Sequence, residues 1–124
     1  MSRETAFVYN LKDERLSRVR GVLMFMGIRV REVKIEEYGR KVGELENAAE
    51  YEPWQGESFE EEMMLLSVAP SRVDALLQRF RKHKVPLPTL TAILTATNAQ
   101  WNSLELSAEL RREREAIRQG KAEH

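Results

Sequence analysis

Polar residues placed directly after an apolar run, with a tryptophan close behind, can hold and stack a small ligand. Thr95-Ala-Thr-Asn98 followed by Trp101 is such a cluster. Hydroxyl and amide groups at Thr95, Thr97 and Asn98 could orient a ligand, and Trp101 could stack on it. Asn10, which ends another apolar run, and Tyr38 could share the same rim, because open parallel sheets bind ligands beyond the carboxyl ends of their strands. The same residues also have a purely structural use. Thr97 or Asn98 can cap a turn, and Trp101 can pack against a sheet. Strand direction bears on the choice: if the strands before Asn10 and Asn98 run oppositely, those residues leave the sheet at opposite ends.

Other reactive patterns are missing. There is no cysteine, so disulfides, thiolate metal sites and cysteine nucleophiles are excluded. The turn after the first apolar run, Tyr9-Asn-Leu-Lys-Asp13, lacks the glycines of a dinucleotide site, and no phosphate-binding glycine loop occurs. A phosphoacceptor receiver domain needs an acidic cluster, an acceptor aspartate ending its third strand and a late lysine. The corresponding segments read Asn10, Ser67-Val68-Ala69 and Thr97-Asn98. The two histidines, His83 and His124, are too far apart in sequence to suggest a metal site. His83 reads as a solvated residue at a helix end, and Glu60-Glu61-Glu62 as part of a solvated loop. No catalytic residue, metal or cofactor is expected.

Arg79 to Lys84 is the one dense basic run. It could touch phosphate, but a single short patch supplies few phosphate contacts, and Phe80 falls on an apolar stripe. The cations suit the negative end of a helix dipole. Across all 124 residues, Lys+Arg and Asp+Glu both number 20, so no global field draws the chain to nucleic acid or anionic lipid. No run is long and apolar enough for a membrane span or a signal peptide. A cytoplasmic location is the expectation, and the lack of cysteine is compatible with a reducing compartment.

Several elements must position these residues. Ala6 to Tyr9 is β-prone. Asp13 offers a helix N-cap, and Leu16, Val19, Val22, Leu23 and Met26 form one helical stripe that Gly27 closes. Ile28 to Ile35 alternates apolar and polar residues, as an edge strand with one wet face does. Val42, Leu45 and Ala49 fit a short helix, and residues 51–61 a flexible acidic loop. Met63 to Val68 is apolar on both faces, as in a central strand. Ser71 and Asp74 form a capping-box pattern before Val73, Leu76, Leu77 and Phe80. Ala92 to Thr95 reads as a fourth strand. Asn102 and Glu105 open a last helix that Gly120 closes, with residues 119–124 frayed.

Residues 6–35 and 63–96 thus repeat strand, helix, strand within a single α/β domain spanning 1–124. The favoured architecture is a small four-stranded, mainly parallel sheet with helices on both faces, βαβαβαβα. Apolar central strands and the long join before the third strand support it. The alternative is a ferredoxin-like βαββαβ two-layer fold with an extra C-terminal helix.

The same residues carry a resemblance. Val8-Tyr9-Asn10, Gly27-Ile-Arg-Val30, Tyr38-Gly39, Val42-Gly43-Glu-Leu45, Gly56-Glu-Ser-Phe59 and Thr95-Ala-Thr-Asn98 with Trp101 resemble a small bacterial family catalogued only as a domain of unknown function. The similarity covers most of the chain. That family's form of the last motif resembles Leu-Thr-Pro-Thr-Asn, and here Ala96 stands in place of the proline. The resemblance implies no activity and directs attention to the strand ends.

With no acid, base, nucleophile or metal constellation, the leading expectation is a non-enzymatic binding or regulatory module for a protein or small ligand. The C-terminal helix, with Ile117 among charged residues, is its candidate contact with a protein partner or a second copy. The second expectation is a small-molecule sensor or enzyme at the strand-end rim.

Overall fold

The computed structural model describes residues 3–122. His124, and the last part of the expected frayed terminus, lie outside the described residues. The elements are β1 (Thr5–Tyr9), α1 (Asp13–Phe25), β2 (Arg29–Glu32), β3 (Met63–Ser67), α2 (Val73–Lys82), β4 (Leu90–Ile93) and α3 (Ser103–Ala122), with four short 3-10 turns. By backbone proximity the described residues divide into two compact units: 3–33 with 60–94, and 34–59 with 95–122.

The first unit holds the sheet, in the order β2-β1-β3-β4. β1 pairs parallel with β2, and β3 parallel with β4. The two halves join through an antiparallel β1–β3 pairing that sets Tyr9 opposite Met63 and Thr5 opposite Ser67. The α/β class, the four strands and the repeated strand–helix–strand halves are as expected. The sheet is mixed rather than purely parallel, for a simple reason. By this register the chain leaves β2 and enters β3 at the same end of the sheet, so residues 34–62 make a return and not a crossover.

Alternation places Ala6 and Val8 on the same sheet face as their partners Leu66 and Met64. That face forms one core with Val19, Val22 and Leu23 of α1 and Leu76 and Phe80 of α2, so both helices lie on it. The other face (Thr5, Phe7, Tyr9, Met63, Leu65) is also buried. Burial on both faces explains why β1 and β3 read as continuous apolar runs. β2 is at the edge, as expected, but it covers only Arg29–Glu32 with no buried residue, and Ile35, expected within the strand, is exposed at the start of a 3-10 turn.

Both crossover helices end in the same way. Gly27, at φ +75°, follows α1, and Ile28 N–H donates to the Leu23 carbonyl at 3.0 Å. Lys84, at φ +56°, follows α2, and Val85 N–H donates to the Phe80 carbonyl at 3.0 Å. These are Schellman ends, each with its apolar pair in the core. The helix starts differ from expectation. Neither α1 nor α2 has a side-chain cap. Asp13 is the first residue of α1 rather than its cap, and Pro70–Arg72 forms a 3-10 turn where Ser71 and Asp74 predict a box. β4 lies two residues earlier than its apolar pattern suggests, and α3 runs past Gly120.

Candidate functional site

In the second unit, the region expected to hold a short helix contains the 3-10 turns Ile35–Glu37 and Val42–Glu44. Its organiser is Arg40. The guanidinium lies 3.6 Å from the buried Glu37 carboxylate and donates to the carbonyls of Glu44 and Asn47 at 2.8 and 3.0 Å. It also sits 4.4 Å from the Tyr51 ring centroid. Trp54 then pins the acidic loop. Its backbone N–H donates to the Glu36 carbonyl at 2.8 Å, and its indole N–H to the Glu57 carbonyl at 2.7 Å. The indole lies against two glycines: a Cβ at Gly39 would come within 2.7 Å of it, and one at Gly56 within 2.5 Å. The expected acidic loop therefore has no helix or strand, yet it is tied down by specific contacts.

Five of the expected site residues belong to the same unit and have local partners. Thr95 N–H donates to Asn98 Oδ1 at 2.9 Å, and Asn98 N–H to Thr95 Oγ1 at 3.1 Å. This reciprocal pair closes the turn before the 3-10 segment Asn98–Gln100. The Trp101 carbonyl accepts from Val42 N–H at 2.8 Å, and the Tyr38 carbonyl from Ser103 N–H at 3.2 Å. Tyr38 itself is buried and stacked on Phe59, with centroids 5.1 Å apart. Thr97 is exposed at the start of the 3-10 turn. Gly43 packs so tightly on Ala99 that an added Cβ would stand 2.7 Å from the alanine Cβ and 3.0 Å from its carbonyl oxygen. Segments 56–65 residues apart in sequence thus meet here.

Asn10 belongs to the first unit. It adopts φ +62°, and its amide donates to the Glu61 carbonyl at 2.9 Å, which fixes the entry to β3. β1 and β4 run in opposite directions, so the chain leaves β1 at one end of the sheet and β4 at the other. The shared strand-end rim required those strands to run the same way.

A different surface stands out in the first unit. Met24 and Phe25, near the end of α1, are 62% and 64% exposed. Both lie off the core stripe of their helix. Phe25 is nevertheless held in place: the Arg79 guanidinium sits 4.6 Å from its ring centroid, and the His83 ring meets it edge-on at 6.0 Å. Three shallow cavities are lined by Phe25 or by its chain neighbours Met24 and Met26. One, of about 240 Å³, includes Ser17, Arg18, Gly21, Phe25 and His83. The second, of about 270 Å³, includes Met26, Arg79 and Lys82, and the third, of about 280 Å³, includes Arg3, Arg20, Met24 and Arg29. Cations line all three cavities, and no carboxylate lines any of them. Among the described residues, no group of three or more His, Asp or Glu side chains could hold a metal ion. No helix among them is long and apolar enough to cross a membrane.

The sequence signal for this surface is two apolar residues that miss the stripe of their own helix. Helical periodicity marks core positions and so passes over them. The basic run Arg79–Lys84 is visible in sequence, but its use is not: Arg79 and His83 hold an aromatic ring.

No curated protein and no solved structure matches the chain. Residues 62–117, which run from just before β3 into α3, match the family model described as Domain of unknown function (DUF3783), in line with a resemblance that implies no activity.

Proposed function

We propose that the protein is a non-enzymatic binding module, acting in the cytoplasm, whose partner-facing surface is the exposed face of α1 and α2. The observation that carries this reading is Phe25, an aromatic ring well out in solvent yet held between Arg79 and His83. Its two polar-edge contacts leave most of the ring's apolar surface in water, and exposed apolar surface rimmed by polar groups serves recognition. Anchors of binding energy are typically aromatic or arginine side chains with restricted motion. The cation-lined cavities at Met24, Phe25 and Met26 fit a partner that presents carboxylates beside an apolar group.

The test compares the full chain with Phe25→Asp as immobilised baits, alongside their thermal unfolding. The expected outcome is a folded variant within about 1 kcal/mol of the parent, the size of an exposed cation–π contact, together with loss of captured protein. Equal capture by both baits, or unfolding of the variant, would sink the reading.

A second contact surface has its own support. Residues 112–119 of α3 are all exposed, and Ile117 is 60% exposed. Ile117→Asp in the full chain tests this surface separately. Capture that depends on Ile117 and not on Phe25 would move the contact to α3.

A further inference from the structure

We propose that the α1–α2 face docks on a second copy of this chain, through the acidic segment of that copy. This rests on reading the face as a binding surface. The segment 42–62 carries eight glutamates and no Lys or Arg. Glu44, Glu46, Glu50, Glu52, Glu57 and Glu60 are exposed. The segment is also shaped: Arg40 and Trp54 hold it, and it contains a cavity of about 360 Å³ lined by Tyr51, Glu52, Pro53 and Trp54. Tyr51 is exposed at its edge.

The two surfaces complement each other. One presents a fixed aromatic ring among Arg18, Arg79, Lys82 and His83, with no carboxylate lining its cavities. The other presents a hollow lined by Tyr51, Trp54 and Arg40, whose guanidinium is engaged by Glu37 and the Tyr51 ring, with exposed glutamates along the same segment. Phe25 entering the hollow would bury apolar surface on both sides, while the cations face Glu50, Glu52 and Glu57. A chain of zero net charge does not repel its own copies, and segregated charge favours an oriented encounter. Nucleic acid would meet only one basic patch and leave the acidic hollow unused.

Sedimentation velocity on the full chain over a range of concentrations tests this, with folding of every variant checked by circular dichroism. Association is expected at low salt and should weaken in about 0.5 M salt, where surface charges are largely screened. Phe25→Asp should weaken it by on the order of tenfold or more, as loss of a central aromatic anchor does. Arg79→Glu with Lys82→Glu, and Glu50→Arg with Glu52→Arg, should each give monomers, and mixing these two charge-reversed chains should restore association. A wild-type chain that stays monomeric throughout overturns the proposal, and the capture comparison above then decides the wider reading alone. Association lost in Ile117→Asp but kept in Phe25→Asp overturns the proposal and, with it, the choice of face. Charge-reversed chains that stay apart on mixing overturn the pairing of these two surfaces. A monomeric chain that binds duplex DNA or phosphatidylserine vesicles through Phe25 replaces the second copy with that partner.

Discussion

Gly21 and Gly43 make opposite demands on the same substitution. Gly21 is an exposed position within α1, with nothing within 4 Å of the place an added methyl group would take. Gly43 faces the Ala99 backbone at contact distance. Gly21→Ala should therefore raise stability by about 0.5–1 kcal/mol, the helix-propensity gain. Gly43→Ala should lower it by about 1–3 kcal/mol, because the Ala99 backbone must move. Chemical denaturation of both variants checks the signs. The glycine at position 21 leaves open the cavity beside Phe25, so its alanine variant also narrows that cavity. At this scale the sequence is partly legible. Asn98 is recognisable as a turn former, but its reciprocal partner is Thr95 rather than the neighbouring Thr97. Phe25 is not legible, because its environment depends on Arg79 and His83, more than 50 residues away.

Local chemistry sets the element ends where a residue carries its own signal. Asn102 and Glu105 form the reciprocal box their spacing suggests, with both N–H···O bonds at 2.9 Å. Asn102→Ala should cost about 1 kcal/mol, the usual value of an N-cap. Lys84, by contrast, occupies a left-handed position that costs an L-residue about 1–2 kcal/mol. Lys84→Gly should therefore stabilise the protein while keeping the Val85–Phe80 hydrogen bond, and urea denaturation would show a higher midpoint. The apolar stripes of α1 and α2 are legible because one face of each meets the core. β4 is displaced by two residues because a short apolar run does not say which of its residues pair with β3. The segment 36–61 is not legible as an element at all. Arg40 and Trp54 fold it through carbonyls and glycines, and periodicity does not register such contacts.

The whole molecule shows why strand count is easier to read than strand direction. Met63 to Leu66 and Ala6 to Tyr9 are apolar throughout, so they announce a buried sheet. That uniformity also removes the alternation that would fix pairing. The antiparallel β1–β3 join follows from where residues 34–62 return, which depends on their tertiary contacts. At the same scale, the 20 positive and 20 negative residues are not mixed evenly, and the acidic stretch 42–62 contrasts with the basic surroundings of Phe25. That segregation is what fits the exposed face of α1 and α2 to a second copy. The most direct measurement is amide hydrogen exchange on dilute and concentrated samples of the full chain. Slower exchange on concentration is expected in residues 17–25, 79–84 and 50–57, with the rest unchanged. Slowing confined to residues 111–119, or none anywhere, would contradict docking through the α1–α2 face.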